Sequence, residues 1–180
     1  LNQTVVGSYD PNIITCLEGD NLPVSEIGNY LHYVVDFENT GNFPADFISV
    51  KIPLNSIDYD LSTLQLLFTS HTSYTIIENG NFIIHFPNIM LDTGGHGNVL
   101  LKIKSKNTLQ AGDMVYKHAE IYFDYNTPVD TGYANTIYQS LASQIIEQDN
   151  LVTIYPNPAT TNVTITAQNE LQKIEIYDAQ

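Results

Sequence analysis

Short runs of alternating apolar and polar residues, separated by turn residues, limit what this chain can fold into. Residues 30–38 read YLHYVVDFE, with Leu31, Tyr33, Val35 and Phe37 on one face and His32, Asp36 and Glu38 on the other. A period of two is the mark of a half-buried strand. Asn39-Thr40-Gly41-Asn42 then breaks the run. Residues 47–54 (FISVKIPL) form a second run, with Pro53 near its end, where a missing donor is tolerated. Residues 64–69 form a third. Residues 74–78 and 82–86 flank Asn79-Gly80, the dipeptide that two-residue hairpin turns favour because both central residues need positive φ. A loop, DTGGHG, covers residues 92–97. Residues 99–104 turn Val99, Leu101 and Ile103 inward and Lys102 and Lys104 outward, a placement that suits the blunting of an edge strand. Residues 114–125 form the longest run, with Val115, Ala119, Ile121 and Phe123 facing the core. Residues 134–141 read as a last strand or a short helix.

No stretch sustains a long helical period. Seven or eight short strands therefore predict an all-β fold, an antiparallel β-sandwich of immunoglobulin-like type, with an open barrel as the alternative. A hydrophobic share of 43% is enough for a core. The texture changes at residues 140–151 (SLASQIIEQDNL), which read as a linker. Further strands are expected at 152–154, 163–166 and 174–177. About 30 residues are too few to bury a core of their own. The expected organisation is a sandwich over residues 1–142, a linker over 143–150, and the first part of a second, small β domain over 151–180.

Charge narrows the function classes. Twenty acidic residues face six basic ones, all Lys, for a net charge of -14. Nucleic-acid binding needs clustered Lys and Arg to neutralise phosphates, so no nucleic-acid partner is expected. Anionic membrane surfaces are disfavoured for the same reason. No apolar run approaches the roughly 18 residues that a membrane span needs, and residues 1–10 (LNQTVVGSYD) have no signal-peptide pattern. A single cysteine, Cys16, excludes an internal disulfide and a Cys-based zinc site.

The segment Tyr155-Pro156-Asn157-Pro158, with the strands at 163–165 and 174–177 behind it, resembles the start of the type A C-terminal sorting domain of the Bacteroidetes type IX secretion system. That resemblance covers residues 154–180. Residues 5–12 (VVGSYDPN), 31–41 (LHYVVDFENTG) and 119–128 (AEIYFDYNTP) resemble a β-sandwich module found before such sorting domains, similar to DUF11-like conserved repeats. The family pattern has Asn-Asp-Lys after Asp-Pro, whereas Ile13 and Ile14 follow Asn12 here. The resemblance implies a secreted or cell-surface protein with a larger upstream region. Its implied partners are the outer-membrane translocon and its shuttle protein.

Chemistry-bearing residues are sparse. Five His stand at 32, 71, 85, 96 and 118, on separate runs and loops, and no nucleophile, zinc or phosphate-loop motif accompanies them. His85 and His118 are expected on solvated faces, and no catalytic residue is expected. Asp10, Asn12, Asp124 and Asn126 offer the oxygen ligands that calcium takes. The same Asp-Pro-Asn and Asp-Tyr-Asn sequences are ordinary turns held by side-chain to backbone bonds, which is the favoured reading, so no cofactor beyond this candidate calcium is expected. The leading expectation is a non-catalytic spacer carrying a sorting signal. The alternative is a calcium-dependent adhesion module that binds glycans or protein, with some of the 12 Tyr as platforms.

Overall fold

The computed structural model describes residues 11–140, 152–155 and 161–167. The chain divides into two units, 1–141 and 142–180. In the first, β1 (Ile13–Cys16), β3 (Tyr30–Glu38), β8 (His96–Ser105) and β5 (Tyr59–Thr69) make one antiparallel sheet in the order β1-β3-β8-β5. A second sheet runs β11-β10-β4-β7-β6, built from β4 (Ile48–Pro53), β6 (Tyr74–Glu78), β7 (Asn81–Phe86), β10 (Glu120–Phe123) and β11 (Val129–Asp130). A third, smaller sheet joins β2 (Asn21–Pro23), β12 (Ala134–Gln139) and β9 (Met114–Lys117). This is an all-β, multi-stranded, sandwich-like fold.

Period-two burial builds it. The inner face of β3 is Leu31, Tyr33, Val35 and Phe37, and that of β8 is Val99, Leu101 and Ile103, all fully buried. Across from them lie Ile48, Val50 and Ile52 of β4 and Phe82, Ile84 and Phe86 of β7. Phe37 and Phe86 bring their ring centroids to 5.4 Å, so the two inner faces touch. Asn79 (φ 48°) and Gly80 (φ 74°) both adopt the left-handed conformation, making the hairpin of β6 and β7 the two-residue kind the dipeptide predicts.

Several elements differ from expectation. The twelve strands described in the first unit exceed the seven or eight expected, because β1, β2 and β11 are short and carry little pattern. Strand β5 starts at Tyr59 and holds two register shifts, so its alternation is visible only at its far end. The longest apolar run splits: β9 belongs to the third sheet and β10 to the second. Ala119 anchors the break, its N–H bonding Thr131 Oγ1 at 2.9 Å while its carbonyl accepts the Thr131 N–H at 3.0 Å. Residues 134–139 are a strand, paired antiparallel to β9 and parallel to β2. Lys102 and Lys104 guard no edge, because β8 is a central strand; their ammonium groups lie 4.4 and 5.1 Å from the centre of the Tyr30 ring.

In the second unit, β13 (Val152–Tyr155) pairs antiparallel with β14 (Thr164–Ala167). The run expected at 174–177 lies outside the described residues, as does the linker at 143–150.

Gly97 faces Phe37 across the β3–β8 ladder, and a Cβ there would collide with the Phe37 ring. Gly97→Ala is therefore expected to cost about 1–3 kcal/mol as overpacking, read as a lower urea midpoint. An unchanged midpoint would mean that the ring yields freely and does not hold the sheets in place.

Candidate functional site

The residues singled out as calcium ligands sit in two places. Asp124 and Asn126 share the turn after β10. Asp124 has φ 53°, its Oδ1 accepts the Phe47 N–H at 2.9 Å, and its own N–H donates to the Phe47 carbonyl at 3.0 Å. The Asn126 N–H bonds the Phe123 carbonyl at 3.1 Å. Asn12 is buried at the entry to β1, in the other sheet, and its Oδ1 accepts the Glu38 N–H at 3.2 Å. Asp10 lies outside the described residues. The Asn12 and Asp124 side chains thus each serve a backbone amide, as turn residues do.

Three of the five histidines each pair with one carboxylate, while His71 and His85 bond serine hydroxyls. His32 Nδ1 is 2.6 Å from Glu18 Oε1, His96 Nδ1 is 3.5 Å from Glu38 Oε2, and His118 Nδ1 is 3.4 Å from Asp130 Oδ2. Among the described residues, no three or more His, Cys, Asp or Glu gather where they could hold a metal ion. His85 and His118 are less solvated than expected. His85 bonds Ser49 Oγ at 2.8 Å, and the His118 ring stacks on Tyr133 with centroids 4.8 Å apart. Cys16 is buried, and burial pushes its thiol up, which keeps it protonated and a poor nucleophile.

The least ordinary chemistry belongs to Lys117, at the end of β9. The alternation that sends Val115 and Ala119 inward sends Lys117 with them, and it is 3% exposed. Its Nζ has no hydrogen-bond partner and lies 4.0 Å from the centre of the Tyr59 ring. Tyr59 donates to the Tyr116 carbonyl at 3.2 Å, so its oxygen is left to accept from Tyr33 at 2.8 Å. Burial lowers Lys117 from 10.5 to about 8, with the Asp58 charge pulling the other way. Asp58 is itself raised by burial and held by Asn55 at 2.7 Å. Lys117 lines an open groove of about 480 Å³ with Leu54, Ile57, Tyr116, His118 and Tyr133. Tyr116 and Tyr133 meet edge to face at 5.6 Å, and both are exposed.

In the sorting motif, Tyr155 ends β13 and is exposed, while Pro156, Asn157 and Pro158 lie outside the described residues.

A sandwich-like unit, followed by a separate unit that carries this motif, defines a class: a β-sandwich module joined to an export signal. The chain belongs to the family described as a domain of unknown function (DUF7619), matched over residues 10–137. The conserved-repeat resemblance falls on this family. Residues 153–180 match the secretion system C-terminal sorting domain, so the chain is secreted or held at the cell surface through the type IX system. A comparison with curated proteins finds no match. Among solved structures, the collagen-binding domain of a Staphylococcus aureus adhesin is 13% identical with a TM-score of 0.45, over 74% of this chain and 100% of that one. The N-terminal domain of the Streptococcus gordonii adhesin Sgo0707 is 10% identical with a TM-score of 0.50, over 72% of this chain and 33% of that one. The Bacillus cereus major pilin subunit BcpA is 13% identical with a TM-score of 0.48, over 69% and 39%. The chain thus spans about a third of the Sgo0707 domain, and a likeness at 10% identity is one of fold alone.

Lys117 supplies a pH test. In the unfolded chain it keeps its proton up to about 10.5, and in the fold only up to about 8. Between those values the unfolded chain binds more protons, so this group makes stability rise with pH. Tyr33 and Tyr59 act oppositely: burial raises both, so stability falls once unfolded phenols ionise above about 10. Urea unfolding is expected to show stability rising above about pH 8 to a maximum near pH 10 and falling beyond it. Lys117→Met is expected to remove the rising limb and to gain about 1–3 kcal/mol at pH 7. A loss at pH 7 would mean that Asp58 and the Tyr59 ring outweigh the desolvation of the ammonium.

Proposed function

We propose that residues 1–142 are a non-catalytic, immunoglobulin-like spacer, residues 143–150 a linker, and residues 151–180 the first part of the sorting domain that the export machinery reads. The observation that carries this is the sorting-domain match over 153–180, set behind a separately folded sandwich. The outer-membrane translocon and its shuttle protein are the partners. Tyr155, Pro156, Asn157 and Pro158 form the entrance to the signal. Proline restricts φ and biases the residue before it away from helix, which is why a motif with two prolines suits recognition by a receptor. The exposed Tyr155 ring gives a receptor something to grip.

Reporter fusions test it in a type IX-competent host. A fusion carrying the complete sorting domain is expected to export the reporter, residues 1–146 are not, and replacing 155–158 by alanines in the complete fusion is expected to reduce export at least tenfold (about 1.4 kcal/mol of recognition). Equal export of all three would sink the sorting reading.

A second reading, an adhesion module for glycans or protein, is favoured by the open groove that the exposed Tyr116 and Tyr133 line together. Its calcium-dependent form uses Asp10, Asn12, Asp124 and Asn126. Binding on a glycan array that Tyr116→Ala with Tyr133→Ala abolishes would support it, and a melting temperature raised by calcium would support that form. Silence in both would leave the spacer.

A further inference from the structure

Strand β6 ends the five-stranded sheet, and all five of its residues are exposed, Ile77 at 68%. Open edges are usually blunted by bulges, lysines, prolines or brevity. Of the two outer strands of the four-stranded sheet, β5 carries register shifts between Asp60 and Gln65 and between Leu66 and Phe68, and β1 is only four residues long. At the far end of the five-stranded sheet, β11 is only two residues long and follows Pro128. Strand β6 has none of these devices: no Pro, no Lys, and an unbroken register with β7.

The free hydrogen-bonding groups can be assigned from the register. Glu78 and Asn81 flank the two-residue turn and are therefore a bonded pair. Alternation makes Ile76 with Ile83, and Tyr74 with His85, bonded pairs too. Thr75 and Ile77 are left with N–H and C=O groups pointing out of the sheet. No turn, loop or side-chain bond among the described residues reaches them.

This edge is complementary to itself. With a two-fold axis at Ile76, Thr75 of each copy faces Ile77 of the other, and all four outward groups of each copy pair. Ile76 meets Ile76 in a close, unbonded pair, the type that alternation requires there. Charge points the same way. Residues 69–87 hold one charged side chain, Glu78, in a chain of net charge -14. Two copies repel over most of their surfaces but not along this hairpin. In the two-fold register Glu78 faces Tyr74, which stacks on His85 at 5.0 Å, and no carboxylate opposes another.

We propose that β6 is a homotypic pairing edge, through which two copies of this chain join their five-stranded sheets into one continuous antiparallel sheet. Five residues a side fall short of the roughly 1,200 Å² that a stable complex buries, so the pairing is weak and rises with local concentration. Copies crowded on one surface supply that concentration. The inference stands on the register and charge of β6 and not on the sorting reading.

Sedimentation velocity of the full chain tests it. The weight-average mass is expected to climb toward two chains between about 10 μM and 1 mM. Thr75→Pro removes an outward N–H without touching the ladder to β7, and is expected to keep the chain monomeric; Ile77→Lys should do the same by charge. Ile76→Cys is expected to form a disulfide-linked dimer under mild oxidation at least tenfold faster than Tyr74→Cys, which faces residue 78. A monomer at every concentration would overturn the proposal, including the case in which the edge serves only a foreign strand. Equal crosslinking of the two cysteine variants, or a dimer indifferent to Thr75→Pro, would overturn it as well.

Discussion

The fold rests on two apolar faces pressed together, those of β3 and β8 against those of β4 and β7. Phe37 stands at that contact. Its ring covers Gly97 in its own layer and meets Phe86 in the opposite one. Interiors packed at crystal-like density transmit a misfit of one methyl group, so this triangle fixes how the layers meet. Loops at the sandwich ends inherit that precision. Asn39 shows how: buried at the end of β3, it donates to the Phe43 and Leu91 carbonyls at 2.8 Å each and binds the loop after its own strand to the one before β8.

A polar thread crosses one side of this core. Tyr33, Tyr59 and the Tyr116 carbonyl form a directed chain of hydrogen bonds, with the Lys117 ammonium on the face of the Tyr59 ring. Burying a cation without a hydrogen bond costs more than a ring face returns. The thread therefore specifies geometry at the expense of stability: it ties β3, β5 and β9, which belong to two different sheets, at one point. It also sets the backbone of Tyr116, and hence the wall of the groove that Tyr116 and Tyr133 line.

Much of this was legible in the sequence where one face of a strand is buried and the other is wet. Strand β3 shows it best, because nine residues alternate without a break between an inner layer and solvent. The Asn79-Gly80 turn was equally plain, since few dipeptides accept positive φ twice. Elsewhere the deciding contacts are remote. The split between β9 and β10 depends on Thr131, 12 residues away, which no local pattern announces. Lys102 and Lys104 look like edge guards by spacing alone, yet the Tyr30 ring accommodates both on a central strand. Lys117 was visible in principle: period two puts it inward between Val115 and Ala119, but a lysine at a core position is easily discounted. The turn residues Asn12 and Asp124 were legible as polar loop formers, while their backbone partners, Glu38 and Phe47, come from distant parts of the chain.

The distribution of charge joins these observations. A net charge of -14 opposes close approach between copies over most of the surface, and the hairpin of β6 and β7 is where that opposition lapses. Repulsion of this size is screened within about 10 Å at ordinary salt, so it governs how copies orient more than whether they meet. A module delivered to a surface meets its own kind at high density and in a restricted set of orientations. Under those conditions a weak edge, exposed where charge is absent, selects one contact among many.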